Sequence, residues 1–379
     1  MTSALPTMCI PLLAAQLPSL DYLAPYLACI DRNRWYSNFG PLVEQLETRL
    51  SETFATADGA APHVITVGNG TAGIDLALRA LGLPAGAPVL VPALTFIATA
   101  TAVLSAGLTP VVCDVDPDSW LLTPDLASKV LAGMPLRAVV PVAAYGCPQD
   151  TQGWSRFHAE TGLPVVIDAA AAFGNQMDCG PTCSVYSLHA TKPLAAGEGG
   201  FVVTRDWEFA QAVRQLSNFG INLTASDIAP IGAVTMVGTN AKMSEYHAAV
   251  GLASLDEWPE NSTRRRKIYR AYTEAIRTIP RLKSSWQTAP TDCVRSVCCL
   301  LLDSRRHRDY AEAVLAAAGV GTRRWYLPLV DRHPAFAHIT HHPTPVADAI
   351  AERLLGIPFH LNLDSAAQAT VIKGLAATV

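Results

Sequence analysis

A chain of 379 residues that is half apolar and only 16% charged has the makeup of a compact globular protein and excludes a disordered one. Its length exceeds what one hydrophobic core usually supports, so two domains are expected. A formal net charge of −4 supplies no electrostatic footing for nucleic acid or an anionic membrane.

The chain opens with a helical pattern at Leu20, Leu23, Leu27 and Ile30, an irregular aromatic stretch over 35–41, and a second helix through Leu42, Leu46 and Leu50. Residues 63–67 read as a buried strand and Gly68-Asn69-Gly70-Thr71 as a tight turn. Ile74, Ala77, Leu78 and Leu81 then recur at helical spacing until Gly82 and Pro84 close the helix. A glycine turn feeding a helix start presents free N–H groups and the positive end of the helix dipole, which suits a phosphate, and Thr71 adds a hydroxyl donor. Ordinary strand-to-helix turns use the same residue types. Strand patterns continue at 89–91, 109–113 and 138–142, with helical patterns between them, one opened by Thr95 and Phe96 and one over 125–131. Residues 163–167 form a further strand ending in Asp168, either a helix N-cap for the alanines after it or the partner of a buried cation. This alternation predicts an open, mainly parallel sheet covered by helices on both faces, with a ligand beyond the carboxyl ends of its strands.

Residues 183–204 hold one lysine, Lys192, between hydroxyl side chains and ahead of a Gly-rich turn and an apolar strand-like run. Most loop lysines are solvated; a buried one has its pKa lowered towards the nucleophilic amine, which makes Lys192 a Schiff-base candidate. A helix is predicted over 209–216, a long irregular connection over 223–237, and a helix through His247, Val250, Leu252 and Leu255, capped by Ser244 and ended by Pro259. The division into domains falls there: 1–258 form an N-terminal segment and a large domain, and 259–379 a smaller α+β domain. The latter has helical patterns over 261–277, 307–318, 346–355 and 364–375 and a strand over 297–302. Its basic run Arg264-Arg265-Arg266-Lys267 reads as a solvated helix face. Thr322-Arg323-Arg324-Trp325-Tyr326-Leu327-Pro328 sets guanidinium groups beside aromatics, as surface decoration or as a grip for a carboxylate or phosphate.

The nine cysteines are odd in number and lack the paired spacing of a zinc site or disulfide framework, so no metal is expected and the thiols read as reduced core residues of a cytoplasmic protein. The Met1 end has no basic region ahead of an apolar core, and no secretory signal is expected. The uncharged run 80–113 is cut by Pro84, Pro88, Pro92 and Pro110 into pieces too short to cross a bilayer.

A phosphate-type turn at 68–71, an aromatic at Phe96, an end-of-strand Asp168 and a hydroxyl-flanked Lys192 together match the needs of pyridoxal 5'-phosphate. A lysine amine condenses with its carbonyl, a turn and hydroxyls bind its phosphate, an aromatic face stacks on its ring, and a carboxylate pairs with its protonated ring nitrogen. That pairing raises the nitrogen's pKa by roughly one to three units, enough to hold it protonated at neutral pH.

The series Gly68-Asn69-Gly70-Thr71, Val91-Pro92-Ala93-Leu94-Thr95-Phe96-Ile97-Ala98-Thr99, Asp114-Val115-Asp116-Pro117, Thr191-Lys192, Gly197-Glu198-Gly199-Gly200 and Gly238-Thr239-Asn240-Ala241-Lys242-Met243-Ser244-Glu245 resembles the DegT/StrS-type nucleotide-sugar aminotransferases, fold-type I pyridoxal phosphate enzymes. The resemblance implies an α/β fold with a large, mainly parallel-sheet domain. It implies Lys192 as Schiff-base lysine and general acid/base, Asp168 as partner of the ring nitrogen, Phe96 as stacking aromatic, and Gly70, Thr71 and Ser187 as phosphate ligands. Asn240 would reach the phosphate of a neighbouring subunit's cofactor, implying a homodimer with shared sites. The implied reaction moves an amino group from glutamate to a nucleotide-linked keto-sugar; other sugar chemistry such as dehydration, or a catalytically silent homologue, are the alternatives. Ala143 stands where the family usually has His, Ile167 where it has Glu, Ala171 where it has Gln, Lys242 where it has Arg, and Val330 where a His often follows Pro-Leu. These departures point to an altered substrate pocket.

Overall fold

The computed structural model describes residues 10–57, 59–223, 229–282 and 284–379. Its large sheet is built from β1 (His63–Val67), β2 (Pro88–Pro92), β3 (Thr109–Cys113), β4 (Ala138–Val139), β5 (Val166–Asp168), β6 (Cys183–Ser187) and β7 (Gly200–Thr204). The C-terminal part of the chain adds β10 (Thr340–His341) to the edge of this sheet and forms β8 (Ser284–Ser285), β9 (Cys298–Leu302) and β11 (Leu354–Ile357) of a second one. Strands pair in the orders β1-β7-β6-β5 and β10-β3-β2-β4, and bridges at Val139–Val165 and Val142–Asp168 join the two sets into one sheet. β7 runs antiparallel to β1 and β6, while the remaining pairings of this sheet are parallel.

Successive strand side chains point to opposite faces, so a strand covered on both sides reads as an unbroken apolar run. In β2, Val89 and Val91 enter one buried cluster and Leu90 the other; Val202 and Val203 of β7 divide the same way. This double burial accounts for the uncharged run at 80–113. No helix among the described residues is long and apolar enough to cross a membrane.

In the antiparallel sheet β11-β9-β8, Cys298, Leu300 and Leu302 of β9 pack into a third cluster, while Cys299 and Leu301 join a cluster of the large sheet. The second sheet is therefore seated on the core of the large one by β9 itself. Its strand β11 is not expected from the helical pattern over 346–355. The helix there, Pro345–Arg353, ends where Leu354 turns extended and pairs with β9.

The helix expected to stop at Pro259 does not stop. One helix, Glu245–Arg277, carries the chain across the proposed boundary at 258/259. An interior proline removes one helical hydrogen bond at a cost of about 3 kcal/mol. Leu252 and Leu255 are buried on one side of it and Tyr272 and Ile276 on the other, and burying each such side chain contributes about 1.5–3 kcal/mol. The Ser262 and Thr263 hydroxyls donate to the Pro259 carbonyl at 3.1 and 2.9 Å. The basic run on this helix is not wholly solvated either: Arg265 turns inward, buried beneath the ring of Phe359. The eight described cysteines are free thiols; Cys9 and residues 224–228 of the long connection lie outside the described residues.

Ser244 caps this helix, its hydroxyl accepting from the His247 N–H at 3.2 Å. The next residue, Glu245, is buried and braces the N-terminal segment, its two oxygens each accepting at 2.9 Å, from the N–H groups of Leu42 and Val43. These are orphan donors at the start of the helix Pro41–Thr53. Glu245→Ala is expected to lower unfolding free energy by about 2–4 kcal/mol, because two buried donors lose a charged acceptor. Denaturant titration checks this, and a midpoint equal to that of the native protein contradicts it.

Candidate active site

The sheet brings its chemistry to one edge. Asp168 ends β5, Ser187 ends β6, the turn 68–71 follows β1, and Thr95 and Phe96 follow β2. Because β7 is antiparallel, its beginning rather than its end lies at that edge, and Glu198, Gly199 and Gly200 arrive there too. These segments surround a cavity of about 830 Å³. Gly70, Thr71, Phe96, Asp168, Ser187 and Lys192 all line it. Asn240 does not: it is exposed and accepts from the Lys242 amine at 2.8 Å.

The turn is shaped by close packing. Asn69 is the N-cap of the helix Gly70–Ala80 and accepts from the Ala72 N–H at 2.8 Å, which leaves the N–H groups of Gly70 and Thr71 for a ligand. A Cβ on Gly70 would lie 2.9 Å from the Ser187 Cβ, and one on Gly200 would lie 2.7 Å from the Tyr186 carbonyl oxygen and 2.8 Å from the Gly70 nitrogen. Glycine at both positions lets the turn fold against β6 and β7. The Ser187 hydroxyl is thereby set beside the helix start.

Asp168 is buried at 5% exposure. Its carboxylate accepts from the Thr99 hydroxyl at 2.7 Å and from the Ala170 N–H at 3.1 Å. No helix begins after it, so it is not a helix N-cap; it is a buried acid that lines the cavity. Burial pushes its carboxyl above the usual range, opposed by the Thr99 hydroxyl, the Ala170 N–H and the Lys192 charge. Burial likewise pushes the Lys192 amine below the usual lysine range, and Asp168 opposes this. The Lys192 Nζ has no hydrogen-bonded partner among the described residues, which leaves it available to a ligand in the cavity.

Of the stretch 322–328, Arg323, Trp325 and Tyr326 line the cavity, and so do His189 and Tyr145, which sequence reasoning does not single out. His189 Nδ1 lies 2.9 Å from the Thr191 hydroxyl, and its Nε2 lies 3.6 Å from Glu198 Oε1. Their only sequence signal is their position within the stretch around Lys192. Tyr145 adopts φ +60°, donates to the Trp325 carbonyl at 3.0 Å and stacks on Tyr326 with ring centroids 5.5 Å apart. Burial holds both phenols above the usual range. Tyr326 in turn approaches Phe96, at 6.1 Å between centroids, so one wall of the cavity is aromatic. Among the described residues no group of three or more His, Cys, Asp or Glu is placed to hold a metal.

The family model of the DegT/DnrJ/EryC1/StrS aminotransferases matches residues 23–376. The chain belongs to this family. This DegT-family protein is a pyridoxal phosphate-dependent aminotransferase of the sugar aminotransferase class. It is 28% identical over 366 residues to the Escherichia coli dTDP-4-amino-4,6-dideoxy-D-glucose transaminase, covering 94% of this chain and 95% of that one. Over 248 residues, 61% of this chain and 57% of the relative, it is 38% identical to the Streptomyces fradiae L-glutamine:2-deoxy-scyllo-inosose aminotransferase. Among solved structures it is similar to DesI in the presence of its TDP-sugar product, with a TM-score of 0.84, 31% identity, and coverage of 98% of this chain and 95% of that one.

The residues present fit the cofactor. Two free N–H groups and two hydroxyls suit its phosphate, the half-exposed face of Phe96 suits its ring, a buried carboxylate suits its ring nitrogen, and an unpartnered amine suits its carbonyl. The small side chains of Ala143 and Ala171 line the same cavity and carry no polar atom, so neither can hydrogen-bond the phenolic oxygen.

Proposed function

We propose that this aminotransferase moves an amino group from glutamate to the carbonyl of a nucleotide-linked keto-sugar. The observation that carries the reading is the pairing of an available Lys192 amine and a buried Asp168 carboxylate in one cavity, beside a helix start able to hold a phosphate. When bound, the cofactor supplies a carbonyl that accepts an amino group and an electron-poor ring that disperses charge. Gly70, Thr71 and Ser187 hold its phosphate, Phe96 packs on its ring, and Asp168 keeps its nitrogen protonated. Lys192 Nζ would then take the proton from the donor α-carbon and deliver it to the carbon that was the cofactor's carbonyl, which leaves the nitrogen on the cofactor. Burial favours this, since an amine held below the usual lysine range is more often neutral. The aromatic wall of Tyr145 and Tyr326 excludes water from the reacting atoms.

The sugar substrate is supported by the E. coli relative, a transaminase of dTDP-4-amino-4,6-dideoxy-D-glucose, and by DesI, whose product is a TDP-sugar. The protein acts in the cytoplasm as a homodimer, with Asn240 reaching the phosphate in the partner's site. This fits the position of Asn240 on the surface, outside its own cavity, near the exposed side chain of Phe219. The reading is tested by incubating the cofactor-loaded enzyme with glutamate or glutamine and a panel of nucleotide-linked 3-keto and 4-keto sugars, and weighing the products. Addition of an amino group to one of the sugars is expected. Amination of a free cyclitol ketone and of none of the sugars would replace the sugar assignment.

A further inference from the structure

Three basic side chains line the cavity, and two of them face an acid. Lys192 is opposed by Asp168, and His189 stands 3.6 Å from Glu198. The third, Arg323, has no ion pair and no side-chain hydrogen bond among the described residues. Its neighbour makes the contrast: Arg324 is held by Glu312 and, at 3.0 Å, by Asp309.

Arg323 is nevertheless fixed in place. Its backbone pairs with Gly356, donating at 3.1 Å and accepting at 2.7 Å, which ties it to the edge of the small sheet. Its guanidinium lies 4.2 Å from the centre of the Trp325 ring. That ring is itself seated on Gly356, where an added Cβ would lie 2.5 Å from Trp325 Cδ1. A guanidinium laid on an indole keeps its donors directed outward in its own plane, and a planar fork of donors matches the two oxygens of a carboxylate. Arg323 also acts electrostatically on Tyr326, as Asp168 does, so it belongs to the same local field as the catalytic pair.

Resting on the aminotransferase reading above, we propose that Arg323 is the specificity-determining residue for the amino donor and binds its carboxylate. An α-amino acid must present its nitrogen to the centre and hold its carboxylate away from Asp168 and Glu198, the acids that line the cavity. Arg323 is the free cation that can take it.

Spectroscopic titration of the cofactor-loaded enzyme with glutamate and with glutamine is the first measurement. In Arg323→Gln the half-saturating donor concentration is expected to rise about 10- to 100-fold, the loss of a charged hydrogen-bonded pair. Arg323→Lys, a point charge without the fork, should fall between. Calorimetric binding of glutarate, a dicarboxylate with no amine to react, reads the same contact without chemistry and should weaken by a similar factor. The KM for the nucleotide sugar should not move. A rise in the sugar KM with the donor titration unchanged would assign Arg323 to the sugar's diphosphate and overturn the proposal. Native-like values for donor, glutarate and sugar in Arg323→Gln would also overturn it, leaving the aminotransferase reading intact. A native enzyme that takes nitrogen from no α-amino acid would remove both.

Discussion

Lys192→Ala should replace the Schiff-base absorbance band of the cofactor-loaded protein by the shorter-wavelength band of the free aldehyde and lower amino transfer by about 10⁴-fold or more. The substitution removes two contributions of one side chain, the covalent anchor and the proton carrier, and general base catalysis alone is worth roughly 10²–10⁴-fold. A structural explanation for such a loss is weak, since Nζ has no hydrogen-bonded partner among the described residues to lose. Phosphate binding by the turn 68–71 is untouched, so the variant should still retain cofactor on gel filtration. Small primary amines added to the solution should restore part of the rate by supplying the missing base. A variant that keeps both colour and turnover would remove Lys192 from the reaction.

Asp168→Asn should reduce transfer by about 10- to 1,000-fold, the kinetic equivalent of one to three pKa units lost at the ring nitrogen. The amide keeps the shape, and its oxygen can still accept from the Thr99 hydroxyl, now at 2.7 Å from the carboxylate. Folding should therefore survive better than with Asp168→Ala, which leaves the buried Thr99 hydroxyl without this acceptor.

The cofactor-free protein provides a second readout with a definite sign. The Asp168 charge holds the Lys192 amine up against the downward pull of burial. Removing that charge leaves burial unopposed, so in Asp168→Asn the amine should become neutral, and hence reactive, at lower pH than in the native protein. The pH dependence of Lys192 labelling by an amine-directed acylating reagent, followed by mass spectrometry, measures this. An upward displacement contradicts the electrostatic coupling of the two residues.

The departures from the family pattern acquire a physical meaning in this setting. Ala143 and Ala171 widen the cavity and remove hydrogen-bonding groups close to the place of chemistry. Val330 is buried within a hydrophobic cluster, so the side chain at that position packs rather than faces a substrate. Lys242 lies 4.7 Å over the Phe219 ring and donates to Asn240, on the face proposed to meet the partner subunit. Of these departures Ala143 and Ala171 line the cavity, together with Lys192 and Asp168.

Local chemistry was enough for the sequence to determine the parts whose cause is local. The glycine turn at 68–71, the Ser244 cap and the doubly buried strands each follow from a residue's own backbone or burial requirement, whereas the burial of Lys192 and Asp168 in one cavity does not. Tertiary structure alone decided the rest. A strand's apolar pattern reports that it is buried but not which way its neighbours run, so the reversal of β7, and with it the arrival of Glu198 beside His189, could not be read from it. Pro259 signals a helix end by its missing N–H, yet packing on both sides outweighs that one bond. Arg265 looks like a surface charge until the Phe359 ring covers it. Arg323 and Arg324 are adjacent and chemically identical in sequence; only the placement of Glu312 and Asp309 neutralises one and leaves the other facing the cavity, because charge pairing depends on distance through space.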